Sequence, residues 1–111
     1  MSDLKGKVII VTGAAMGLGF AATDVLAAKG AHVTLVDYNA EALEKAKSEL
    51  STKHPDSEFL VVTADVSVEE NVKKYVDQTV QKFGKVDGLY NNAGIEGKQA
   101  PLIDYDIEVF K

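Results

Sequence analysis

Three glycines carry the first chemical signal. Gly13, Gly17 and Gly19 stand in Thr12-Gly13-Ala14-Ala15-Met16-Gly17-Leu18-Gly19, between an apolar run and an alanine-rich segment. In a strand-to-helix turn of this kind the first glycine permits a tight turn. The second lets backbone approach a pyrophosphate, and the third lets helix and strand pack closely. Free N–H groups at a helix start, with the positive end of the helix dipole, favour an anion there. The spacing is Gly-x-x-x-Gly-x-Gly. No Gly-Lys-Ser/Thr follows, so the loop is not a Walker loop.

Two carboxylates fall where a dinucleotide needs them. Asp37 ends the second apolar run, about 20 residues past the glycines, where an acidic group accepts both hydroxyls of an adenosine ribose. A 2′-phosphate there would meet a like charge. Its neighbours Met16 and Tyr38 are uncharged, where a phosphate would want Arg or Lys. The pattern points to NAD rather than NADP. Asp65-Val66 closes the third apolar run. A carboxylate there can accept from an adenine amino group while the Val66 N–H donates to a ring nitrogen. An acidic residue ahead of a helix cap accounts for the spacing nearly as well.

The elements that must position these residues are legible from patterning. Residues 7–12, 31–37, 59–63 and 86–91 are short apolar, β-branched runs, which predict strands buried on both faces. Residues 20–29 predict a helix closed by Gly30. Asn39 predicts a cap for a second helix whose Leu43, Ala46 and Leu50 face inward. Ser67-Val68-Glu69-Glu70 has the form of a capping box. The helix it opens places Val68, Val72, Val76, Val80 and Phe83 on one face, and Gly84 stops it. Asp104 predicts a cap for a last helix with Ile107 and Phe110 inward. The alternation gives an α/β fold, a Rossmann-type doubly wound parallel sheet of strand order 3-2-1-4, with the first two helices on one face and the third on the other.

Composition narrows the classes. The chain has 111 residues, 46% hydrophobic and 26% charged, which is one globular domain. A net charge of −5 disfavours a nucleic-acid partner. There is no cysteine, hence no disulfide, thiolate metal site or cysteine nucleophile. No apolar run approaches the roughly 20 residues that cross a bilayer. Met1-Ser2-Asp3-Leu4-Lys5-Gly6-Lys7 carries no signal-peptide pattern, so a cytoplasmic protein without membrane contact is expected. His32 and His54 read as surface or strand-end residues, and no metal site is expected.

Thr12 to Gly19 matches the Thr-Gly-x-x-x-Gly-x-Gly motif, and Asn91-Asn92-Ala93-Gly94 the second signature, of the short-chain dehydrogenases/reductases. With Asp37 and Asp65-Val66 in register between them, the chain resembles that family along essentially all of its length. The stretch from Asn91 to Gln99 resembles levodione reductase-like members, which use NAD on cyclic ketones. The resemblance implies an NAD(H)-dependent oxidoreductase that moves hydride between nicotinamide and a carbonyl or alcohol carbon. It implies that Gly13, Ala15, Met16, Gly17, Leu18 and Gly19 surround pyrophosphate and adenosine ribose, Asp37 with Tyr38 the ribose, and Asp65 with Val66 the adenine. Asn92, Ala93 and Gly94 would line the cofactor near its ribose and bridging phosphates, and Asn91 would tie the fourth strand to its neighbour.

The family's Tyr-x-x-x-Lys pair does not occur here: four residues after Tyr38, Tyr75, Tyr90 and Tyr105 stand Ala42, Thr79, Gly94 and Val109. None of the family's catalytic positions is present among these residues. The expectation is an N-terminal, NAD-binding part, residues 1–111, of a longer single-domain enzyme. It would be inactive alone, would expose a sheet edge, and would be tetrameric with a small carbonyl or alcohol substrate when whole. The alternative is a non-catalytic NAD-binding module.

Overall fold

The computed structural model describes residues 4–65 and 69–91. The elements run β1 (Val8–Thr12), α1 (Gly17–Ala28), β2 (His32–Asp37), α2 (Ala40–Lys53), β3 (Phe59–Thr63), α3 (Glu69–Phe83) and β4 (Gly88–Asn91). All strand pairs are parallel and the order is β3-β2-β1-β4, as the patterning predicts. The register sets Val11 beside Leu35 and Tyr90, and Leu35 beside Val61. The predicted capping box at Ser67 and the last helix lie outside the described residues.

Period-2 alternation divides the core into two layers. Ile9, Val11, Val33, Leu35 and Phe59 pack with Ala27, Leu43, Ala46 and Leu50, on the side of α1 and α2. Ile10, Val36, Val62 and Leu89 pack with Tyr75, Val72 and Val76, on the side of α3. Each buried Leu, Ile or Val contributes about 1.5–3 kcal/mol relative to exposure. The two central strands therefore supply much of the burial and hold their C-terminal ends rigidly.

Several boundaries differ from the sequence expectation. α1 begins at Gly17 rather than Phe20, because the turn is completed within 13–16. β4 starts at Gly88 rather than Val86: Asp87 already turns its N–H to the Val8 carbonyl, 2.7 Å away, and its side chain to the Val8 N–H. β1 and β2 each begin one residue later than expected. On α3, Val80 is 43% exposed, whereas Tyr75 and Thr79 are buried. Successive steps of four residues advance about 40° too far around a helix, so the valine series rotates out of the interface by Val80. The buried Thr79 hydroxyl is satisfied: it donates to the Tyr75 carbonyl at 2.7 Å and lies 2.8 Å from Thr34 Oγ1 on β2.

Local chemistry fixes the helix ends and the lower rim. Asn39 accepts from the Ala42 N–H at 2.9 Å, the expected cap of α2. Asp24 on α1 meets His54 Nε2 at 2.6 Å and Lys53 Nζ at 2.9 Å, joining α1 to the end of α2. The hydrogen bonds from His54 and Lys53 hold the Asp24 carboxyl below its ordinary value. Burial pushes Asp87 up, but the Val8 N–H, Lys85 and Lys7 outweigh it, and its net displacement is also downward.

Both carboxyls thus sit below the 3.8 of an unfolded chain. Each contributes stability that is complete above that value and is lost as pH falls through the lower folded value. A variant carrying Asp24→Asn and Asp87→Asn is expected to start less stable at neutral pH. It should also lose less of its urea midpoint than the parent between about pH 5 and pH 2. Equal losses in the two proteins would contradict these assignments.

Candidate functional site

The residues singled out by spacing converge on one edge. The glycine loop follows β1, Asp37 ends β2, Asp65 follows β3 and Asn91 ends β4, so all four lie at the C-terminal edge of a parallel sheet. The chain goes outward from β1 to β2 and β3, then crosses to the other side of β1 as β4. The C-terminal crevice at such a switch point is where open α/β sheets bind ligands.

The loop is built by its glycines. Gly13 (φ 64°) and Gly17 (φ 63°) are in the left-handed region, which lets the chain reverse out of β1 and enter α1 within a few residues. A Cβ on Gly19 would lie 2.0 Å from the Gly13 carbonyl oxygen. Only glycine lets the first turn of α1 press against the loop it closes.

That first turn is left electrostatically open. The N-cap is Met16, in extended backbone, with no side-chain hydrogen bond, and no acidic residue occupies the first turn. A Ser, Thr, Asn or Asp cap adds about 1 kcal/mol. α2 has such a cap and α1 does not. The N–H groups of Gly17, Leu18 and Gly19 have no carbonyl one turn earlier within the helix to take them. The cap position thus forgoes stability and leaves the first-turn donors without a side-chain partner at the cap. Met16, Leu18 and Tyr38, which surround it, are 62%, 71% and 78% exposed.

Asp37 faces this loop. Its Oδ2 accepts from the Ala15 N–H at 3.1 Å, and its Oδ1 from Tyr38 N–H at 2.8 Å and Asn39 N–H at 3.4 Å. The Ala14 N–H bonds the Val36 carbonyl at 3.1 Å. Asp37 is half-buried and keeps lone pairs for a further donor. On the other side of β1, the Thr12 hydroxyl donates to Asn91 Oδ1 at 3.0 Å, so Asn91 ties β4 to β1 as expected. Asp65 is exposed, and its carbonyl accepts from Asn71 Nδ2 at 3.0 Å.

Of the expected site residues, Gly13, Ala15, Met16, Gly17, Leu18, Gly19, Asp37 and Tyr38 are brought together around the loop. Asp65 sits farther along the same edge. Val66, Asn92, Ala93 and Gly94 lie outside the described residues. Spacing gives no sign of the Ala14 and Ala15 amides bonding β2. Thr12 could have been noticed as a hydroxyl at the end of an otherwise apolar strand. The histidines were expected as surface or strand-end residues, and His32 does begin β2; both also line a concavity of about 540 Å³ at the opposite, N-terminal edge, with Lys5, Lys53 and Ser57. His32 there stacks on Phe83 at 5.7 Å, and its Nδ1 accepts from the Glu58 N–H. That concavity lies beside the C-terminal ends of α1 and α2, where the helix dipoles are negative.

Comparison with known proteins places this geometry among relatives. The profile of the short chain dehydrogenase family matches residues 7–111. Levodione reductase of Leifsonia aquatica is 48% identical over 104 residues, covering 94% of this chain and 39% of that protein. A solved NAD+-bound xylitol dehydrogenase superposes with a TM-score of 0.77 at 43% identity, over 83% of this chain and 35% of that one. The L-sorbose reductase of Gluconobacter frateurii, solved with NADPH and L-sorbose, gives 0.80 at 35% identity, over 84% and 35%. The chain thus spans about two fifths of the length of the curated relatives it matches.

Gly19→Ala tests the loop directly. The added methyl must displace the Gly13 carbonyl, at a cost of about 3 kcal/mol, the upper range for overpacking. ADP affinity, measured by calorimetry, should fall at least about 100-fold, since the first-turn donors move with the loop. Retention of both stability and affinity would refute the close-approach account.

Proposed function

The chain belongs to the short-chain dehydrogenase/reductase family, and from that premise we propose that it supplies the NAD(H)-binding part of an oxidoreductase. That enzyme interconverts a small carbonyl compound, a cyclic ketone by the likeness to levodione reductase, and its alcohol. The observation that carries the choice of NAD is Asp37: a carboxylate at the end of β2, with uncharged Met16 and Tyr38 beside it. A ribose 2′-hydroxyl can donate to it, whereas a 2′-phosphate meets a like charge there. The family context alone leaves the choice open, since the xylitol dehydrogenase was solved with NAD+ and the L-sorbose reductase with NADPH.

The uncapped start of α1, the glycine cradle and the exposed apolar rim fit a dinucleotide. Gly13, Ala15, Met16, Gly17, Leu18 and Gly19 hold the pyrophosphate and adjoining ribose, chiefly through first-turn N–H groups. Asp37 and Tyr38 hold the ribose. Asp65 and Val66 hold the adenine. Asn92, Ala93 and Gly94 line the cofactor near its bridging phosphates. Met16, Leu18 and Tyr38 exclude water from the bound dinucleotide, and the Thr12–Asn91 bond fixes the crevice floor. The bound dinucleotide supplies the hydride chemistry. Proton delivery by the family's Tyr-x-x-x-Lys pair belongs to other residues of the whole protein, since no such pair occurs in these 111. The whole protein is read as a cytoplasmic homotetramer. The second reading is a non-catalytic NAD-binding module.

The test is turnover and cofactor preference of the full-length gene product with a panel of cyclic ketones. NADH should support reduction with kcat/KM at least about tenfold above NADPH, consistent with one desolvated like-charge contact. The 111-residue chain should bind NADH without turnover. Equal use of NADPH would overturn the NAD assignment. NADH binding without turnover of any carbonyl or alcohol by the full-length product would favour the module.

A further inference from the structure

The contacts of Asp37 reach beyond ribose recognition. Its carboxylate takes three backbone N–H groups from two directions. Tyr38 and Asn39 hold Oδ1 from the chain just beyond it, and Ala15 holds Oδ2 from the glycine loop. The loop side is reinforced by the neighbouring Ala14 N–H on the Val36 carbonyl. Two successive amides of the loop are thus docked on the end of β2, one on backbone and one on the Asp37 side chain. Ala15 immediately precedes Met16, the uncapped N-cap residue of α1, and Gly17, which must hold a positive φ. The direction of the first-turn donors therefore depends on where Ala15 is held.

We propose that Asp37 is a positioning residue for the anion-binding loop as well as the acceptor for the ribose. Its carboxylate clamps the Ala15 amide and sets the loop before any ligand arrives. This rests on the dinucleotide reading above and adds to it that one side chain serves two parts of the ligand. Removing it to admit a 2′-phosphate loosens the pyrophosphate cradle at the same time. Hydrogen bonds to a charged acceptor are the strong ones, and this one spans separate elements, so its loss is felt by the loop rather than by the strand.

The sign of one affinity change separates the two roles. 2′,3′-Dideoxy-ADP carries the diphosphate and lacks both ribose hydroxyls. If Asp37 only reads hydroxyls, Asp37→Ala leaves dideoxy-ADP affinity unchanged or tightens it, because a negative charge near an anion is gone. If Asp37 also clamps the loop, dideoxy-ADP binding weakens about tenfold or more, as expected for losing one charge-assisted hydrogen bond. Asp37→Asn offers one acceptor oxygen in place of two and no charge, so it should restore only part of that loss. A second readout needs no ligand. In the full-length protein, the Ala15 amide should exchange with solvent deuterium at least about tenfold faster in Asp37→Ala than in the parent, following the opening of its hydrogen bond. Ile10 in β1 should stay protected, showing that the sheet is intact. Unchanged Ala15 exchange, or dideoxy-ADP binding at parental strength, would overturn the clamp. Failure of the parent to bind ADP would count against the dinucleotide reading instead, and the exchange measurement would still decide the clamp.

Discussion

The contact on which this structure depends is between Gly19 and the carbonyl of Gly13. No side chain fits there: a Cβ would come within 2.0 Å of the oxygen. The first turn of α1 therefore lies directly on the loop that leaves β1. Three consequences follow from that closeness. The loop is short, the helix begins at Gly17, and the first-turn donors open at the end of the most buried strand of the sheet, where neighbours fix their position.

The sheet provides that rigidity. All five β1 residues are buried, with β2 and β4 on either side. The Thr12–Asn91 hydrogen bond locks the β4 side of the crevice, and Asp37 with Val36 locks the loop to the β2 side. Opposite, at the N-terminal edge, Asp24 and Asp87 perform a structural task, joining α1 to α2 and β1 to the approach of β4. The Asp24 and Asp87 contacts and the proposed ligand site thus lie at opposite ends of the same strands. This separation lets α1 go without an N-cap while the fold stays pinned elsewhere.

Much of this was legible in the sequence because it depends on local pattern. Runs such as Val8-Ile9-Ile10-Val11 have one simple explanation, a strand buried on both faces, and βαβ handedness then leaves few sheet orders. Asn39 and the Leu43, Ala46 and Leu50 stripe were equally readable. The α3 face was not, since a row of valines hid the drift that turns Val80 outward and brings Thr79 in. A buried threonine looks polar in a pattern, and only its bonds to Thr34 and Tyr75 make it an interior residue. At the site, glycine spacing and Asp37 were visible as residue types at distances. The Asp37–Ala15 bond was not, because it joins a side chain to a backbone amide, and amides leave no mark in sequence. Nor did spacing reveal that His32 and His54 share one concavity, since a β3-side turn brings them together.

The most direct test of the account is amide chemical-shift mapping of the protein titrated with NADH. The perturbed amides should be those of Ala15 to Gly19, Asp37 and Tyr38, with His32, His54 and Ser57 unmoved. Perturbations centred on the concavity around His32 and His54, with the glycine loop silent, would contradict the assignment of the C-terminal edge as the dinucleotide site.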